Sequence, residues 1–121
     1  MGFEKLEQNE NKIELANGVF FNIKEKSSGV YEITDLGKNG ESFKGMMLGV
    51  IEMREGIKDE EGLEHKQWEQ SAGSYINFSY KDVRFDFVNG GGEIYAPSLR
   101  AIEEAIADLK IELIDPEDRD Y

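Results

Sequence analysis

The stretch Ser42-Phe43-Lys44-Gly45-Met46-Met47-Leu48-Gly49-Val50-Ile51-Glu52-Met53-Arg54-Glu55 decides how this chain is read. Phe43, Met46, Met47 and Val50 recur at three- and four-residue steps, with Ile57 beyond them, which is the period of a helix buried along one face. Ser42 stands where an N-cap accepts hydrogen bonds from the first helical turn. Gly45 and Gly49 oppose a helix at about 1 kcal/mol each relative to alanine, although both fall away from the apolar stripe. The alternative is a strand over Met46 to Met53. The spacing predicts a helix from Ser42 to about Glu55, and the fold class follows from that choice.

On the N-terminal side the pattern changes to alternation. Lys12-Ile13-Glu14-Leu15-Ala16-Asn17-Gly18-Val19-Phe20-Phe21-Asn22-Ile23 carries Asn-Gly between two apolar runs, a strong hairpin signal. A two-residue turn would split the apolar residues between two faces. A three-residue loop, Ala16-Asn17-Gly18, pairs Leu15 with Val19 and Ile13 with Phe21, and puts all five apolar residues on one face. It requires Gly18 in the left-handed region, which costs glycine nothing. Ser27-Ser28-Gly29 then turns the chain into a third strand, Val30 to Asp35, and Gly37-Lys38-Asn39-Gly40 ends the meander.

On the C-terminal side, Gly56 to Gly73 is polar, acidic and weakly periodic, with one short helix expected near Leu63 to Trp68. Strands return at Tyr75 to Tyr80 and at Val83 to Phe87, joined by Lys81-Asp82. Asn89-Gly90-Gly91-Gly92 turns into Glu93 to Ala96. Pro97 or Ser98 opens a helix whose one side carries Leu99, Ile102, Ile106, Leu109 and Leu113, ending at Asp115-Pro116. The expectation is one domain over 1–121 with an α+β fold: two βββα units, 12–55 and 74–114, whose antiparallel sheet or sheets carry two main helices. An N-terminal extension (1–11), an acidic connection (56–73) and an acidic tail (115–121) complete it. The βββα order of the second unit resembles the small DNA-binding modules of phage integrases. Those depend on a basic sheet surface, however, and residues 71–102 carry three cations against three anions.

The 121 residues hold 26 Asp and Glu against 14 Lys and Arg, a formal net charge of −12. That balance argues against direct nucleic-acid binding, which needs cations to neutralise phosphates. The absence of cysteine removes disulfides and thiolate chemistry. No apolar run reaches the roughly 20 residues of a membrane helix, and no signal-peptide pattern is present, so a cytoplasmic location without membrane contact is expected. The charge is local. Residues 52–70 hold seven acidic and three basic groups, and 103–121 hold eight and two, so ten of the twelve excess charges sit in two segments.

Motifs that carry chemistry are sparse. Asn89-Gly90-Gly91-Gly92 matches neither a phosphate loop nor a dinucleotide fingerprint and joins two strands rather than a strand and a helix. His65 is the single imidazole, and no serine has a base and orienting acid near it in sequence. No catalytic residue, cofactor or metal site is assigned, and the protein is expected not to be an enzyme. Glu104, Asp108 and Glu112 stand at four-residue steps on the expected last helix. Asp115, Glu117 and Asp118 then place anions at its negative end, where they are unfavourable. A chain that keeps charge there invites a basic partner, and Trp68 among acidic neighbours has the composition of an interface anchor.

The leading expectation is a small binding or inhibitor protein, of the toxin-immunity or phage anti-defence type. It would occupy a partner's basic surface, such as a nucleic-acid-binding site, through Trp68, Glu104, Asp108, Glu112, Asp115, Glu117 and Asp118. The alternative is a small-ligand-binding or sequestering domain, using Arg84, Gly90, Gly91, Gly92 and Arg100. A third reading is a structural subunit of a phage or bacterial assembly that forms a homodimer through its methionine-bearing helix.

Overall fold

Residues 10–50, 55–59, 61–64 and 75–115 are described by a computed structural model. Its elements are β1 (Glu10–Glu14), β2 (Val19–Ser27), β3 (Val30–Lys38), β4 (Glu41–Ser42), β5 (Met47–Val50), β6 (Tyr75–Tyr80), β7 (Val83–Val88), β8 (Gly91–Tyr95), α1 (Leu99–Ala107) and β9 (Ile111–Ile114). Strands β1-β2-β3-β8-β7-β6 form one antiparallel sheet in that order, with β4 paired to β3, while β5 and β9 form a separate two-stranded ribbon.

Short-range turn chemistry builds the sheet. Ile13 stands opposite Phe21, and the Leu15 amide donates to the Val19 carbonyl at 2.8 Å, as a three-residue loop requires. Gly18 supplies the positive φ, +90°. Two further hairpins close with both central residues at positive φ, the turn that matches strand twist. These are Asn39 and Gly40 (54° and 83°) between Lys38 and Glu41, and Lys81 and Asp82 (51° and 64°) between Tyr80 and Val83.

The two meanders join where β3 pairs with β8. Gly92 lies opposite both Ile33 and Phe87 at φ +128°, and a Cβ there would sit 2.0 Å from the Asp86 carbonyl oxygen. Only glycine closes that seam.

One face of the sheet is apolar. Phe21, Ile23, Phe78, Phe85, Phe87 and Ile94 are fully buried, and the Phe78 and Phe85 rings stack at 4.8 Å. Helix α1 and strand β5 pack on β7 from this side, and β9 packs on β2. Asn17 ties the cover to the sheet: its Nδ2 donates to the Ile111 carbonyl at 2.9 Å while its Oδ1 accepts from Val19 N–H at 3.1 Å.

The expected architecture of two main helices in a βββα-βββα order is therefore corrected. Strand makes up 57% of the described residues and helix 10%, in one element. Residues 43–50 are not a helix, and 51–54 lie outside the described residues. Gly45 takes φ +91°, which stops helical propagation, and Met47, Leu48, Gly49 and Val50 are all buried. Four consecutive buried residues mark a strand covered on both faces, which has no period to read. Of the methionines on the expected dimer helix, Met47 is fully buried and Met46 half-buried, packed against the core, and Met53 lies outside the described residues. The last helix is also shorter than expected. It is capped by Ser98, whose Oγ accepts from Ala101 N–H at 3.1 Å, and ends at Ala107. Leu113 belongs to β9, opposite Leu48.

The described part of the acidic connection is ordered by backbone bonds. Lys58 and Ser79 exchange N–H···O bonds of 3.0 and 2.8 Å, so the loop covers the outer edge of β6 at that point. Asp59 Oδ1 accepts from the amides of Glu61 and Leu63, both at 2.9 Å, and holds those two residues back against it. The short helix expected near Leu63 to Trp68 lies mainly outside the described residues. Among the described residues no helix is long and apolar enough to cross a membrane.

Candidate functional site: the acidic end at the β6–β7 turn

Lys81 and Asp82 form the tight turn between β6 and β7, which holds the flanking side chains in fixed directions. Tyr80 Oη donates to Asp108 Oδ2 at 3.2 Å, and Lys81 Nζ pairs with the same oxygen. The turn is thereby tied to the C-cap of α1. Asp108 holds the Lys81 ammonium above its ordinary lysine value, chiefly by that hydrogen bond and then by charge, and Glu104 adds to the field. Both side chains of the pair stay wet, at 53% and 44% exposure for Lys81 and Asp108. Its contribution to stability is therefore small. Its consequence is positional: Asp108 is fixed where a partner could reach it.

On the other side of the turn, Glu64 and Asp82 line a cleft of 850 Å³ together with Lys58, Arg84 and Tyr95. The Arg84 guanidinium lies 5.3 Å from the Tyr95 ring centroid and 3.3 Å from Asp86. Asp86 charge and hydrogen bonding hold Arg84 firmly protonated. Tyr95 Oη donates to Glu93 Oε1 at 2.7 Å, and Lys26 pairs with Glu93 Oε2 at 2.7 Å. These bonds push the Glu93 carboxyl below its ordinary value and raise Lys26 and Tyr95. A polar row thus runs across the outer face of β2, β8 and β7, beginning at the cleft.

The structure sorts the residues singled out from the sequence. Glu104 and Asp108 share the acidic end, Glu104 also pairing with Arg100 at 3.3 Å. Glu112 does not join them: it lies on β9 and reaches Lys38 at 3.5 Å, beside the β3–β4 hairpin. Tyr95 pairs with both Arg84 and Val30, so the β6–β7 turn and Lys38 stand at opposite ends of the sheet. Asp115 is exposed beyond β9. Trp68, Glu117, Asp118 and His65 lie outside the described residues.

The ligand constellation is likewise divided. Arg84 lines the cleft, but Gly90, Gly91 and Gly92 belong to the turn at the other end of β7. There Gly90 N–H donates to the Met46 carbonyl at 2.8 Å, and a Cβ on Gly91 would lie 3.0 Å from the Ile33 carbonyl oxygen. Packing explains Gly91 and Gly92, and Gly90 serves the turn through its positive φ of +84°. Arg100 is 85% exposed and engaged with Glu104. Among the described residues no group of three or more His, Asp or Glu is placed to hold a metal ion.

No family model, curated protein or solved structure matches the chain. A functional reading therefore rests on the site alone. Sequence reasoning passed over Tyr80, Asp82 and Glu64 as site residues. The Lys81-Asp82 turn was visible, but what it faces depends on where α1 stops.

Proposed function

We propose that this is a small acidic binding protein that acts by occupying a basic surface of another protein, not by catalysis. One observation carries the reading: carboxylates from both acid-rich segments flank the β6–β7 turn. Glu64 comes from the first, Glu104 and Asp108 from the second, and Asp82 stands between them. The carboxylates that flank the turn suit a Lys/Arg-lined surface of the kind that binds nucleic acid, although the cleft itself also holds Lys58, Lys81 and Arg84. The net charge of −12 would steer association with it at a rate that falls with salt. A partner cation competes with Lys81 for Asp108, and that exposed pair costs little to exchange.

The test is affinity capture from the native host at low and high salt, with wild type, an Asp82→Lys/Glu104→Lys variant, and a control with Glu10 and Glu41 reversed. The expected outcome is a basic partner held at low salt and released at high salt, lost from the first variant and retained by the control. Capture that ignores both salt and the Asp82/Glu104 reversal refutes the proposal.

A further inference from the structure

The sheet has two outer edges, β1 and β6, and they are finished differently. The β6 edge is covered at Ser79 by Lys58. Along β1, among the described residues, no strand pairs on the outer side. The backbone direction there follows from one bond. Leu15 N–H donates to Val19, towards β2. In an antiparallel ladder alternate residues face the same way, so Ile13 and Asn11 also bond β2, and the N–H and C=O groups of Lys12 and Glu14 point out of the sheet. A charged side chain, lysine above all, commonly guards such an edge. Here the Lys12 ammonium is drawn back over the Phe20 ring, 4.8 Å from its centroid, and Glu14 has no cation partner among the described residues.

We propose that the β1 edge pairs with the β1 edge of a second copy of this chain. Three antiparallel registers form at least two outward-facing pairs around a two-fold axis. The one centred on Asn11 sets Glu10 against Lys12 twice but brings no apolar pair to the axis; the other two centre on Lys12 and on Ile13. One sets Lys12 against Lys12 and Glu10 against Glu14, which are like charges throughout and destabilising. The other sets Lys12 against the second copy's Glu14, twice by symmetry, with Ile13 meeting Ile13 at the axis. That register exchanges four backbone hydrogen bonds and gives each Glu14 a cation, which no described residue of its own chain provides. The two-fold keeps both apolar faces on one side of the enlarged sheet. A groove of 670 Å³ between β1 and α1, with Leu15, Ile106 and Leu109 in its lining, offers the added strand's core-side residues apolar surface to cover. The dimer leaves the acidic end beside the opposite edge free, so it stands independently of the proposed binding function.

Sedimentation equilibrium of the full chain at about 0.15 M salt, which screens repulsion between two copies of charge −12, tests the pairing. A concentration-dependent dimer is expected. Lys12→Glu or Glu14→Lys alone makes both symmetric pairs repulsive and weakens the dimer by roughly tenfold or more. Lys12→Glu with Glu14→Lys swaps the charges and restores it. Glu14→Pro removes an outward N–H while sparing the bonds to β2, and is expected to leave a folded monomer by circular dichroism. A chain that stays monomeric to millimolar concentration overturns the proposal. So does a dimer indifferent to the single reversals, or a double reversal no tighter than the singles.

Discussion

Gly45→Ala separates the two readings of the stretch after Ser42 by the sign of its effect. In a helix, alanine for glycine stabilises by about 1 kcal/mol. In the structure Gly45 takes φ +91° and nothing lies within 4 Å of an added Cβ, so the effect comes from the backbone alone. Holding alanine in the left-handed region costs about 1–2 kcal/mol, and its narrower unfolded ensemble returns about 0.4–1 kcal/mol. The expected net is a loss of about 1 kcal/mol, a fall of about 4 °C in Tm for a domain of this size. Urea titration at 25 °C, with the m-value checked for constancy, measures it directly. A companion variant raises the contrast. A helix would set Leu48 on the far side from Met46 and Val50, where truncation is mild, whereas in β5 Leu48 is fully buried. Leu48→Ala is then expected to cost about 2–5 kcal/mol. A Gly45→Ala protein more stable than wild type, with Leu48→Ala close to neutral, refutes the strand.

Gly92→Ala confronts both a φ of +128° and a carbonyl oxygen 2.0 Å from the new Cβ, so denaturant titration is expected to show a loss above about 3 kcal/mol. A value within about 1 kcal/mol of wild type would mean that the seam between the meanders packs otherwise. The trio of Lys26, Glu93 and Tyr95 predicts a pH dependence with a definite sign. Glu93, lowered in the folded state, contributes stability above the unfolded carboxyl value of about 4.3, lost as pH falls below it. Lys26 and Tyr95, raised, contribute below about pH 10 and lose it above. Glu93→Gln is therefore expected to lower Tm at pH 7 and to match wild type by about pH 3. A difference that persists undiminished at pH 3 contradicts that linkage.

What was legible in the sequence was local. The Ala16-Asn17-Gly18 loop set its own register because only one choice gathers Ile13, Leu15, Val19, Phe21 and Ile23 on one face. The alternation from Tyr75 to Phe87 likewise named its strands and the Lys81-Asp82 turn. Most of the failures were non-local. Met47 to Val50 has no period because both its faces are covered, and its partner Ile111–Ile114 lies on the far side of β6, β7, β8 and α1. Leu109 and Leu113 continue a helical spacing by coincidence, although the helix ends at Ala107. That one misplaced ending set Glu112 in a row with Glu104 and Asp108, whereas the strand carries it to the other end of the sheet. A second Asn-Gly, at 39–40, marks the end of the meander in the sequence, yet it folds Glu41 and Ser42 back on β3. The acidic end was half legible: the charge could be counted, but the turn at which it gathers depends on tertiary contacts.

The pairing of β5 with β9 also sets an order of events during synthesis. Val50 bonds across to Ile111 and Met47 to Ile114, so about 60 residues must follow β5 before its partner exists. At roughly 5–20 residues per second, a nascent chain carries Met-Leu-Gly-Val without its native partner for roughly 3–12 s. Such a segment, apolar and strand-forming, is one that chains on neighbouring ribosomes could pair with each other. The run 52–70, with seven acidic groups against three basic, emerges directly behind that strand and sets like charge beside it on every such chain during that interval.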